Sequence, residues 1–133
     1  MKTMLISILL LLGLQISVFS QNRICEWETE KISSITVEFT STDRQKEMTA
    51  FDKHSEIDKI MTFLKNVDFR VLNSSNRDSL DMDNDKEYRI YFKGQRDQVY
   101  LQTHSACIGK TSFLINPDVT VNFSALIQEL KTN

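Results

Sequence analysis

Hydrophobic and polar positions follow three different patterns along this chain, and the changes of pattern divide it into elements. An uncharged stretch runs from Thr3 to Asn22 behind one basic residue, Lys2, with its apolar heart at residues 4–14. Val18-Phe19-Ser20 places small or modest side chains at the −3 and −1 positions of a cleavage point after residue 20. This is the tripartite pattern of a secretory signal peptide. The run approaches the length of an uncleaved span, but Ser7, Gly13, Gln15 and Ser17 dilute it and no Lys/Arg cluster follows it. Cys25 follows Asn22-Arg23-Ile24 and so does not fit a lipid-anchor motif. The expectation is a signal peptide at 1–20 and one small exported domain at 21–133, periplasmic or extracellular, without a stable membrane anchor after cleavage.

Past residue 30 the period shortens to two. Ile35, Val37 and Phe39 alternate with Thr36 and Glu38, predicting a half-buried strand, and residues 45–51 can pair back on it. Ile57, Ile60, Met61 and Leu64 then recur at i, i+3, i+4 and i+7, the stripe of an amphipathic helix. Asp52 or Ser55 is placed to cap it, and Ser55-x-x-Asp58 fits a capping-box variant. Val67, Phe69 and Val71 alternate again as an extended exit.

Residues 73–86 carry only two apolar side chains and predict a long exposed acidic loop. Tyr88, Ile90 and Phe92 share one strand face, Gly94–Asp97 turns, and Val99, Leu101 and Thr103 return, which predicts a hairpin. Cys107-Ile108-Gly109 reads as a break, residues 111–115 as a strand, and Asn116-Pro117-Asp118 as a turn. Asn122 then caps a last helix with Phe123, Leu126, Ile127 and Leu130 on one face. The order predicts an α+β fold, a mainly antiparallel β-sheet with two amphipathic helices packed on one face.

Composition narrows function mainly by exclusion. The chain carries 16 basic and 18 acidic residues, and losing Lys2 leaves 15 against 18. An acidic, exported chain with scattered basic residues does not suit nucleic-acid binding. Only Gly94 and Gly109 lie beyond the signal segment, so no glycine-rich phosphate cradle exists. Cys25 and Cys107, 82 positions apart, are expected to form a disulfide in an exported chain. Such a loop is worth about 4–5 kcal/mol in the chain-entropy model. Trp27 is expected to pack over that staple.

Asp81-x-Asp83-x-Asp85 matches the opening of a calcium loop, but Lys86 and Phe92 stand where the EF-hand needs Gly and Glu. No metal site is expected, and Asp78, Asp81, Asp83 and Asp85 read as a patch that steers a basic protein partner. His54 and His104 lack the further ligands of a zinc site, and no nucleophile motif accompanies them. Neither catalysis nor a cofactor is expected. Arg89, Tyr91 and Lys93 form a cation–aromatic row on the outer hairpin face, with Arg and Tyr favoured as interface anchors. Asn73 and Asn122 open N-glycosylation patterns, and Asp78-Ser79-Leu80 resembles a short O-glycosylation acceptor.

The sequence thus predicts a non-catalytic exported protein-binding domain, in its concrete form an envelope inhibitor or immunity-type protein. The predicted contact residues are Asp78, Asp81, Asp83, Asp85, Arg89 and Tyr91. The alternative is an envelope accessory domain with a structural or small-ligand role, which calls for a concave apolar pocket.

Overall fold

The computed structural model describes residues 22–41, 43–71 and 87–132. Residues 1–20, where a signal peptide is expected, and residues 73–86 with Asn73 and the four aspartates lie outside the described residues. Two single 3₁₀ turns, Arg23–Glu26 and Thr29–Lys31, lead into β1 (Ser34–Thr40) and β2 (Lys46–Phe51). Helix α1 (His54–Lys65) follows, then β3 (Arg70–Val71), β4 (Glu87–Lys93), β5 (Val99–Leu101), β6 (Ser105–Ile108), β7 (Thr111–Leu114) and helix α2 (Pro117–Thr132). The strands form one sheet in the order β2-β1-β4-β5-β6-β7-β3. Every pairing is antiparallel. The fold is α+β, and α1 carries the chain from one edge of the sheet to the other.

The period-two pattern explains why the sheet has a dry side. Register aligns Ile35 with Phe92 and Val37 with Ile90 across β1 and β4. It aligns Ile90 with Val99, and Val99 with Ile108, across β5 and β6. All of these are buried, together with Ile57, Ile60, Met61 and Leu64 of α1 and Phe123, Ile127 and Leu130 of α2. Phe123 is the hinge of the packing. Its ring lies 5.2 Å from Tyr88, nearly perpendicular, and 5.5 Å from Phe63. Edge-to-face pairs of this kind add about 0.5–1.5 kcal/mol beyond their buried area.

Asn22 fastens the N-terminal segment to α1. Its Nδ2 donates to the carbonyls of Leu64 at 2.8 Å and Val67 at 2.9 Å, while Oδ1 accepts from the Ile24 N–H. A helix C-terminus leaves carbonyls without intrahelical donors, and this buried amide supplies one. Trp27 packs edge-on against Phe92 at 5.1 Å, so it covers the sheet and not a cysteine staple.

Several expected boundaries move. Helix α1 begins at His54, and the Glu56 carboxylate accepts from the Lys53 N–H at 3.3 Å, in place of a Ser55–Asp58 box. Helix α2 begins at Pro117, five residues before Asn122, because Asn116 Oδ1 accepts from the Asp118 N–H at 3.0 Å. Proline at the first helical position costs no hydrogen bond, so the expected turn is a helix start. Cys107 and Ile108, read with Gly109 as a break, belong to β6.

The expected disulfide is not formed; Cys25 and Cys107 are free thiols. The sheet explains why. Cys25 lies by the end of α1, its Sγ 3.3 Å from the Lys65 carbonyl. Cys107 pairs with Tyr100 and Ser112 on the opposite side of the sheet from the helices. Thiol titration should therefore count two thiols per unfolded chain. In the folded chain exposed Cys25 should react ahead of half-buried Cys107; a count of zero would mean the bridge forms.

Gly94 closes the β4–β5 turn at φ +111°, and a Cβ there would lie 2.0 Å from the Lys31 carbonyl oxygen. Gly109, at φ +60°, would meet only the Asp97 side chain at 3.0 Å. Left-handed backbone costs a non-glycine residue roughly 1–3 kcal/mol at either position. Urea unfolding should therefore show Gly94→Ala losing more than about 3 kcal/mol, with Gly109→Ala inside the roughly 1–3 kcal/mol range.

Candidate functional site

Burying one face of a sheet under helices leaves its alternate residues on the other. The same register that sends Ile35, Val37, Ile90 and Phe92 inward sends Thr36, Glu38, Arg89, Tyr91 and Lys93 outward. Tyr100 joins them through its pairing with Arg89, and Met48 through its pairing with Glu38. No described element covers this face, and Met48 is 63% exposed on it. The cation–aromatic row expected at Arg89, Tyr91 and Lys93 therefore does stand on the open face, at its centre.

The centre is a chain of polar contacts crossing four strands. Lys46 Nζ lies 3.6 Å from Glu38 Oε1, and the Tyr91 hydroxyl donates to Glu38 Oε2 at 3.1 Å. Tyr91 also hydrogen-bonds Arg89, which holds that guanidinium above its ordinary pKa. Arg89 then lies over the Tyr100 ring, 5.1 Å from its centroid, in a cation–π contact. Burial, followed by a hydrogen bond to Glu87, pushes the Tyr100 phenol up to about 12. Gln102 Nε2 meets the same Glu87 at 3.4 Å. Side chains held this way lose little further entropy on meeting a partner.

Around this chain the surface sinks into a hollow of about 230 Å³, walled by Glu38, Arg44, Lys46, Glu87, Arg89 and Tyr100. Arg44 belongs to the β1–β2 hairpin loop, where its N–H donates to Ser41 and Ser41 N–H donates to Gln45. Its φ is +66°, the only positive value among described non-glycine residues. Three-residue hairpin loops place a left-handed residue there, usually glycine. An arginine in that conformation costs about 1–3 kcal/mol and persists only where its surroundings enforce it.

Of the six predicted contact residues, Arg89 and Tyr91 come together here, and Asp78, Asp81, Asp83 and Asp85 lie outside the described residues. Glu38, Arg44, Lys46 and Tyr100 were not singled out, since only the β1–β4 and β4–β5 pairings bring them in. His54 is exposed on α1, 3.6 Å from Asp58. His104 sits between β5 and β6, where its carbonyl accepts from Ile115 N–H. Among the described residues no group of three His, Cys, Asp or Glu side chains could hold a metal ion.

A second concavity, about 440 Å³, runs beside α2 and is lined by Thr103, Pro117, Val121, Ala125 and Gln128 among others. Comparison with protein-family models, curated proteins and solved structures finds no match to this chain.

The Tyr100 environment has a direct readout. Its folded pKa lies above the ordinary value of 10, so between about 10 and 12 the folded phenol keeps a proton that the unfolded chain releases. Stability from this group is present below pH 10 and is lost as pH rises through that window. Tyr88, raised by its own burial, titrates late as well. Alkaline titration of the tyrosinate band should show Tyr100→Phe removing one late-titrating tyrosine; an unchanged late component would refute the assignment.

Proposed function

We propose that this chain is an exported, non-catalytic protein-binding domain whose partner docks on the open face of the sheet. The observation that carries this reading is the cross-strand chain Lys46–Glu38–Tyr91–Arg89–Tyr100 on the outer face, with Lys46 and Arg89 exposed, Glu38, Tyr91 and Tyr100 half-buried, and all five held by one another. Interfaces favour Tyr and Arg because large, stiff or planar side chains bury much surface for little lost freedom. An envelope inhibitor or immunity-type protein, which blocks a hydrolase or toxin by occupying it, is the concrete form of the proposal. The face is broad and polar, with Met48 as an exposed apolar contact, and a one-sided antiparallel sheet needs no further layer to be stable.

A second reading draws on the concavity beside α2. An envelope accessory domain with a small-ligand role would use that groove, where Pro117, Val121 and Ala125 supply apolar wall and Gln128 a polar group.

One experiment separates the two. A photo-crosslinking residue replaces Tyr91 in one variant and Gln128 in another, each expressed in the producing cell. The proposal expects a single stoichiometric protein adduct from position 91 and none from position 128. Adducts from position 128 alone would move the contact to the groove, and none from either would overturn the protein-binding reading.

A further inference from the structure

We propose that the hollow on the open face receives a carboxylate from an acidic segment of the partner protein. This deepens, and rests on, the reading of that face as a protein-binding surface. Charge is the first argument. The chain as a whole has a formal net charge of −2, yet the hollow gathers three cations, Arg44, Lys46 and Arg89, against two carboxylates, Glu38 and Glu87. The outward register adds Lys93 on β4, so the net positive charge of the hollow extends along that strand of an acidic protein.

The second argument is the state of each partner. Glu38 is engaged by both Lys46 and Tyr91, and Glu87 by both Tyr100 and Gln102. Neither acid forms an ion pair with Arg44 or Arg89 among the described residues, although the Glu38 charge favours the charged form of Arg89. Arg89 has Tyr91 and the Tyr100 ring as partners and, among the described residues, no carboxylate within ion-pair distance. The Arg44 guanidinium has no hydrogen-bond or ion-pair partner among the described residues, while its backbone is held left-handed at the rim.

Two guanidinium forks beside an empty space match a carboxylate, which each can bind in a bidentate manner. The volume of about 230 Å³ is several times the roughly 30 Å³ occupied by one liquid water and leaves room for an acidic side chain. Glu38 and Glu87 set the selectivity, because they repel a doubly charged phosphate more than a singly charged carboxylate.

The test is calorimetric titration of the full chain with a hexaglutamate peptide, with hexaglutamine as the neutral match and inorganic phosphate as the rival anion. Hexaglutamate should bind while hexaglutamine does not. Arg44→Gln and Arg89→Gln should each weaken binding about tenfold, as loss of a charged hydrogen bond implies. Lys59→Gln, on the exposed side of α1, should leave it unchanged. No heat with hexaglutamate, an equal loss in Lys59→Gln, or phosphate binding as tightly would each overturn the carboxylate assignment. A crosslinked adduct at position 91 alongside such a failure would keep the protein-binding face and remove only its acidic ligand.

Discussion

Everything on both sides of this sheet depends on the register of β1 against β4. The two strands are far apart in sequence, yet they pair over seven residues, from Ser34 with Lys93 to Thr40 with Glu87. Because side chains alternate with a period of two, a slip of β1 by one position would put Glu38 under the helices and Ile35 and Val37 in water. The cost of burying that charge and exposing those aliphatic groups fixes the register. The polar face is therefore specified by the core behind it.

This coupling explains how a site without catalytic motifs can still be well ordered. Glu38, Tyr91, Arg89 and Tyr100 stand on strands whose alternate residues are among the most buried in the chain. Their positions are inherited from Val37, Ile90 and Val99. Loops contribute one member, Arg44, and that one is constrained by its own hairpin hydrogen bonds and not by packing.

Local pattern made α1 and the β4–β5 hairpin readable, since the Ile57–Leu64 stripe and the Tyr88–Phe92 alternation are complete within a few residues. β6 was missed because Ser105-Ala106-Cys107 offers small side chains whose burial comes from Leu101 and Phe113 opposite them, not from their own hydrophobicity. The start of α2 was missed because Asn-Pro-Asp serves equally as a turn and as a cap followed by a first-turn proline. The pairing of cysteines by count failed for a topological reason that no spacing rule contains: a sheet stands between them. Of the site, the row on β4 was legible within one strand. Its partners on β1 and β2 were not, because they meet it only through long-range pairing, and Tyr100 depended on the exact register of the β4–β5 hairpin.

Strand β2 ends the sheet on one side with six residues and no proline, and its outer backbone groups have no strand beside them among the described residues. Such a border is a template on which another extended chain can grow. Here it is guarded unevenly. Lys46 and Glu47 put opposite charges at its start, and Glu47 is tied down by Lys131 of α2 at 2.6 Å. Met48, Thr49 and Ala50 carry no charge at all. Self-association of this protein, in concentrated solution or during refolding, would therefore begin along the uncharged half of β2 and extend the sheet across two molecules.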